Sequence, residues 1–275
     1  MGIYILTAPP RYGKTSLMTH WANEVAFNRG RTRLMQAEIQ NKIDSGFASL
    51  KTIPNNCVSA NYALTMRQFG YSPRQNRRIN PYRLGFDNPY VKTHFNLPYE
   101  FIVITEAQKY FNSRMAQYYP DWQSRWFEQS GHDYLDILMD TQRVGLIDPN
   151  IRDLAKVIEV VRLDIEKDSF GQPAYLEWKI RYFDNNGLWD KYVADGKRGN
   201  LLFDEMKIEA NYNVFKSYDS RSCKPYFYQG HLNQDFDYEI SEVPEENFDG
   251  YVSFLKKYDK EYPDKFHIKR SSKAA

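Results

Sequence analysis

The chain has 275 residues, 42% of them hydrophobic, with a mean hydropathy of -0.70 and a formal net charge of +2. That length suits one large domain, or a domain with an extension, built around a real core under a broad polar surface. A nearly neutral balance excludes a uniformly basic coat for nucleic acid, so any basic surface has to be local.

Cys57 and Cys223 have no CxxC spacing; they allow one disulfide but read first as buried thiols of a reducing compartment, and the five histidines have no metal-ligand spacing. The N-terminal apolar run lacks a preceding basic region, which argues for a core strand over a signal peptide. Leu6 stands where a myristoylation signal needs Ser or Thr. Nowhere is there a run of ~18 apolar residues, so the expectation is a soluble chain with no membrane span of its own.

In chain order, residues 2–7 read as a buried strand and residues 15–28 as a helix with Leu17, Met18, Trp21 and Val25 on one face. A second helix is expected over 34–50, and strands over 57–64, 101–104 and 135–139. Short apolar runs separated by helices indicate an α/β fold with a mainly parallel sheet. Residues 161–166 and 176–182 alternate apolar and charged around a turn at 168–173, predicting an antiparallel hairpin at the sheet edge. Asp148 and Pro149 form an N-cap with proline at the first helical position. Residues 235–249 carry seven acids and no Lys or Arg, and 256–273 carry seven Lys or Arg against three acids. The expected organisation is a domain over 1–220 and an irregular extension over 221–275 with an acidic linker and a basic tail.

The chemistry concentrates where the first strand meets the first helix. Ala8, Pro9, Pro10, Arg11, Tyr12, Gly13, Lys14 and Thr15, followed by Ser16, fit the Walker A pattern, with Ala8 replacing the usual first glycine. Gly13 lets backbone N–H groups converge on phosphate, Lys14 reaches the β- and γ-phosphates, and the Thr15 hydroxyl suits Mg²⁺. A helix opening at that point adds its positive end.

The run 101–108 resembles a Walker B strand. Glu106 is the candidate to polarise an attacking water, but the usual Mg²⁺-orienting Asp is here Thr105. Thr105 and Gln108 also fit a capping box for a helix starting at Glu106, and a capping Thr105 can still bond a metal-bound water. Gln142, past the 135–139 run, is a candidate sensor of the γ-phosphate or of water, or else a loop residue capping the sheet. Arg143 and Arg152 are candidate fingers toward a neighbouring subunit, or plain surface arginines. Residues 66–83 hold Arg67, Arg74, Arg77, Arg78 and Arg83 with Phe69, Tyr71 and Tyr82 and no acid, either a composition suited to phosphate neutralisation and base stacking or a solvated, partly disordered excursion.

Taken together, the loop ending Gly13-Lys14-Thr15, the Thr105-Glu106 strand end, the Thr141-Gln142 pair and the Ile147-to-Arg152 run resemble the zonular occludens toxin (Zot)-like ATPase domain. That family includes the assembly protein of filamentous phages; more distantly the chain is similar to the FtsK–HerA class of DNA pumps and viral packaging ATPases. The resemblance covers roughly residues 1–220 and implies a three-layer P-loop NTPase sandwich using ATP and Mg²⁺. It further implies a ring-forming homo-oligomer acting on DNA or on phage coat or secretion proteins, in the host cytoplasm or peripherally at the inner membrane through a partner. Two departures stand out: Thr105 replaces the family's Asp, and filamentous-phage members carry a membrane helix after the domain that this sequence lacks. The toxic activity in the family's name belongs outside the ATPase domain, so none is expected. The main alternative is a hydrolysis-deficient, ATP-dependent switch or scaffold that docks a capsid or secretion partner. A small-molecule kinase is disfavoured because no second phosphate-acceptor site is visible.

Overall fold

The computed structural model describes residues 2–45, 53–79, 81, 84, 97–114, 121–198 and 202–218. The expected extension over 221–275, with Cys223, lies outside them, as do Tyr82 and Arg83.

Strand β1 is Gly2–Thr7, and its alternation sends Ile3 and Ile5 to one face and Leu6 to the other. Helix α1 follows at Lys14–Ala26 and α2 at Arg29–Asp44. The second helix starts earlier than the 34–50 expected, because Asn28 caps it by accepting the Arg31 amide hydrogen at 3.0 Å. Next come β2 (Val58–Ala60), the short β3 (Thr65–Met66), β4 (Arg74–Gln75) and β5 (Arg77–Arg78), then β6 (Phe101–Ile104). After α3 (Asp121–Gln129) come β7 (Asp136–Thr141), α4 (Pro149–Asp153), β8 (Ala155–Lys167), β9 (Pro173–Phe183), α5 (Asn186–Ala194) and β10 (Asp204–Asn211).

Eight strands form one sheet in the order β10-β9-β8-β1-β7-β6-β2-β5, and β3 and β4 pair separately. From β8 across to β5 every pairing is parallel, while β8–β9 and β9–β10 are antiparallel. The antiparallel β8–β9 hairpin forms as expected, and β10, which has no counterpart in the sequence reading, pairs outside it and is the edge strand. Asp148 caps α4 as expected, its carboxylate accepting the Asn150 amide hydrogen with Pro149 next to it.

Helices cover both faces, making three layers. Leu17, Met18, Ala22 and Ala26 of α1 pack with Leu6, Val103, Leu138 and Trp178 on one face. Phe127 of α3, Ile151 of α4, and Trp189 and Tyr192 of α5 pack with Ile5, Ile102, Ile137 and Val157 on the other. Because the parallel strands run the same way, their C-terminal ends meet along one edge of the sheet.

The opposite edge is tied together by charge. Glu100 has no exposed surface and takes Arg77 Nη2 at 2.7 Å, Arg77 Nε at 3.0 Å, the Leu97 amide at 3.2 Å and the Ser59 hydroxyl. Arg31 of α2 reaches the Tyr99 and Glu100 carbonyls and the Asp136 carboxylate. Removing one partner of a buried pair leaves the other charge unsolvated, which costs about 3–5 kcal/mol. Arg77→Ala is therefore expected to lower urea-unfolding stability by about that amount, and Arg77→Ala with Glu100→Gln to recover much of it. An Arg77→Ala protein as stable as the parent would contradict the pairing.

Candidate functional site: the Gly13 loop and two strand ends

The loop after β1 is shaped by two residues in the left-handed region, Arg11 at φ 68° and Gly13 at φ 75°. Gly13 has a second reason to lack a side chain. A Cβ there would stand 2.6 Å from Leu163 Cδ2 and 2.8 Å from Trp178 Nε1, so the β8–β9 hairpin braces the loop from behind. Gly13 is the N-cap of α1, and the Leu17 amide bonds back to its carbonyl at 2.9 Å. The first-turn amides of a 13-residue helix thus open at the loop. Lys14 is buried and folds its ammonium back, donating to the Ala8 carbonyl at 2.9 Å and the Pro9 carbonyl at 3.3 Å. Ser16 donates to the Gly13 carbonyl at 2.8 Å. Pro9, Pro10, Arg11 and Tyr12 are exposed, and Thr15 is half-buried.

Strand β7 lies between β1 and β6, so its C-terminal end is level with the loop: Leu6 is registered with Asp140 and Thr7 with Thr141. Gln142 follows, exposed, at this same edge. At the end of β6, Thr105 turns the chain and Glu106 adopts a left-handed conformation, φ 56° and ψ 43°. The capping box expected from Thr105 and Gln108 is absent. The segment forms only a 3-10 turn over Ala107–Lys109 with no side-chain cap, and Gln108 instead donates to Glu106 Oε2 at 2.7 Å.

Two side chains hold this strained turn. Asn61, beyond β2, accepts the Thr105 amide hydrogen at 2.9 Å and donates to the Thr105 carbonyl at 3.0 Å. Asp140 accepts the Glu106 amide hydrogen at 2.5 Å and the Thr105 hydroxyl at 3.2 Å, both on Oδ1. A non-glycine residue in this region costs of order 1–3 kcal/mol and persists where surroundings enforce it, often at functional sites.

Asp140 is only 2% exposed. Burial pushes its carboxyl up to about 6, opposed by the Glu106 amide, the Lys14 ammonium and the Thr105 hydroxyl, and aided by the Glu106 carboxylate. Sequence reasoning gave Asp140 no role. The available signal was an acid ending an otherwise apolar run, on the strand that topology sets beside β1. Where a cation is concerned, the Thr15 and Thr105 hydroxyls and the Asp140 carboxylate are hard oxygen donors. They suit Mg²⁺, which keeps several waters and takes few carboxylates along with phosphate oxygens. Among the described residues no cluster of three His, Cys, Asp or Glu could hold a metal by itself.

No family model and no curated protein matches the sequence. Solved structures similar to this chain include the N-terminal domain of zonular occludens toxin from Neisseria meningitidis, at 16% identity, covering 79% of this chain and 98% of that one, with a TM-score of 0.43. Also similar is the genome packaging NTPase of Sulfolobus turreted icosahedral virus 2 in complex with ATP-gammaS, at 13% identity, covering 68% and 93%, with a TM-score of 0.34. The DNA-packaging ATPase of Sulfolobus turreted icosahedral virus matches at 14% identity over 68% and 93%, with a TM-score of 0.32.

Other candidates separate from this centre. Arg152 lies in α4, three residues before β8 begins at the level of Ile3, at the sheet edge opposite the Gly13 loop. Arg143 is exposed beside Gln142. In the arginine-rich segment, Arg77 is committed to Glu100, while Arg74 bonds the Ala26 carbonyl and covers the Phe27 ring at 4.9 Å. Both are structural ties. Arg78 is in β5 beside β2, and Arg83 lies outside the described residues. Arg67 is exposed with Phe69, which is fully so, along an open cleft of about 880 Å³ also lined by His20, Asn23, Tyr71 and Lys216.

Asp140 gives the ligand-free protein a pH signature. Its folded pKa of about 6 exceeds the ordinary 3.8, so the folded form binds the proton more tightly than the unfolded chain does. The resulting penalty is absent below about pH 4, grows through pH 4–6 and is complete above, on the order of 3 kcal/mol. Asp140→Asn keeps an acceptor for the Glu106 amide and removes the charge. It is expected to stabilise the apoprotein in metal-free buffer, with about twice the gain at pH 8 as at pH 5. Equal gains at both pH values, or a loss, would contradict this.

Proposed function

We propose that this chain is an ATP-binding and ATP-hydrolysing P-loop motor that works as a homo-oligomeric ring in virion assembly or DNA translocation. The observation carrying the reading is the convergence of Lys14, the opening turn of α1, the strained Glu106 turn and Asp140 at one end of the parallel sheet.

In this reading the Gly13 turn and the first-turn amides of α1 hold the phosphate chain. Lys14 exchanges its two loop carbonyls for phosphate oxygens. The Thr15 and Thr105 hydroxyls would face the cation. A bound Mg²⁺·ATP supplies the anhydride to be cleaved and the charge neutralisation that phosphoryl transfer requires. Glu106, fixed by its backbone and by Gln108, orients and deprotonates the attacking water. Gln142, exposed at the same edge, contacts water or the terminal phosphate in this reading.

Arg152 is remote from its own loop, so any finger role has to be toward a neighbouring subunit. DNA contact is assigned to the Arg67, Phe69 and Tyr71 surface, where cation and exposed rings suit backbone and base. Coat or secretion proteins are the other candidate partners, and the host cytoplasm or the inner-membrane periphery is the site of action. Among the described residues no helix is long and apolar enough to cross a membrane. The switch reading drew on the missing carboxylate at Thr105, and Asp140 beside it weakens that support.

ATP turnover with and without single- and double-stranded DNA tests the proposal. Lys14→Ala is expected to weaken ATP binding by roughly tenfold or more. Glu106→Gln is expected to keep binding and lose about 100-fold or more in turnover. Arg67→Glu with Phe69→Ala should remove DNA stimulation alone. Tight ATP binding with no turnover in the parent would return the switch.

A further inference from the structure

We infer that Asp140, reaching across from β7, supplies the acidic group toward the nucleotide-bound cation that Thr105 fails to supply from β6. The inference rests on the nucleotide-binding reading and adds a residue to that site.

The geometry follows from the sheet. Ile104 is registered with Met139, so the next residues, Thr105 and Asp140, stand level on adjacent parallel strands about 4.8 Å apart. Side chains alternate faces along a strand. Ile102 and Ile104, with Ile137 and Met139, enter the core away from α1, and Val103 and Leu138 enter the core beneath α1. By that alternation Thr105 and Asp140 belong to the α1 face, where Lys14 is.

Carboxylates at both positions would face each other across hydrogen-bonding distance, and one would be driven neutral. Threonine at 105 removes that repulsion and its hydroxyl donates to the remaining acid. Since β7 is between β6 and β1, the substitution moves the carboxylate one strand nearer the phosphate loop. Asp140 Oδ1 is used by Thr105 and Glu106, and among the described residues nothing donates to Oδ2, which leaves that oxygen for a metal-bound water. One side chain would thereby connect cation binding to the conformation of Glu106.

The probe is Mn²⁺, whose affinity for the complex of the protein with a non-hydrolysable ATP analogue is read by electron paramagnetic resonance, independently of turnover. Asp140→Asn is expected to weaken Mn²⁺ binding by about 10-fold or more, the range for residues behind a metal's ligands, with analogue binding in EDTA unchanged or tighter. Moving the acid back, Thr105→Asp with Asp140→Thr, should restore most of the affinity. Mn²⁺ affinity within about twofold of the parent in Asp140→Asn would overturn the inference while leaving nucleotide binding intact. Failure of the parent to bind the analogue even in EDTA would overturn the underlying reading as well. If Asp140→Asn does not fold, Asp140→Ser decides on the same readout: a loss of about 10-fold or more supports the inference, and affinity within about twofold of the parent overturns it.

Discussion

The site depends on β1 having parallel neighbours on both sides, β7 and β8. Those two ladders fix the height at which the chain leaves the sheet. The loop at Gly13 then lies level with Asp140 and Thr141, and the hairpin continuing from β8 stands behind it. A slip of one residue would turn Leu6 out of the core under α1 and remove Lys14 from Asp140's field. Burial of Ile3, Ile5 and Leu6 between two helical layers enforces this register, so packing and site geometry have a common cause.

The two edges of the sheet treat charge differently. At the N-terminal edge, Glu100 and Asp136 are matched by Arg77 and Arg31, and the groups tie α2 and β5 to the central strands. At the C-terminal edge, Asp140 is buried with only uncharged donors in hydrogen-bonding contact, and Glu106 is held in a conformation that side chains disfavour. The first edge is satisfied within the fold. The second keeps a folded-back lysine, an unused carboxylate oxygen and backbone strain in one place, an arrangement that a bound anion with its cation would complete.

How much of this was legible in the sequence differs by element. The β1-loop-α1 unit was readable because apolar period and loop chemistry agree over residues 2–26, and the Asp148-Pro149 cap was readable from local side-chain chemistry alone. The hairpin's alternation was clear, but β8 and β9 run longer than the 161–166 and 176–182 segments. The first half of β8 is buried between strands and loses the period-two signal, whereas β9 keeps its alternation and is longer only by residues 173–175 and Phe183 at its ends. Strand β10 alternates Glu205, Lys207 and Glu209 with Met206, Ile208 and Ala210, a short period-two signal in a mostly exposed strand that gains its meaning from the pairing with β9. The basic segment 66–83 was legible as composition only. Whether an arginine meets solvent or a buried acid, as Arg77 meets Glu100, is decided by residues distant in the chain. Asp140 was hidden for the same reason, since its meaning depends on β7 lying between β1 and β6.

The central claim is that the Gly13-Lys14 loop, the Glu106 turn and the Asp140 strand end make one nucleotide site. Amide hydrogen exchange before and after addition of a non-hydrolysable ATP analogue with Mg²⁺ addresses all three at once. The account predicts slowed exchange together in peptides covering 8–17, 104–110 and 139–143, with no such effect in Lys14→Ala. Protection confined to other parts of the chain, or none at saturating analogue, would contradict it.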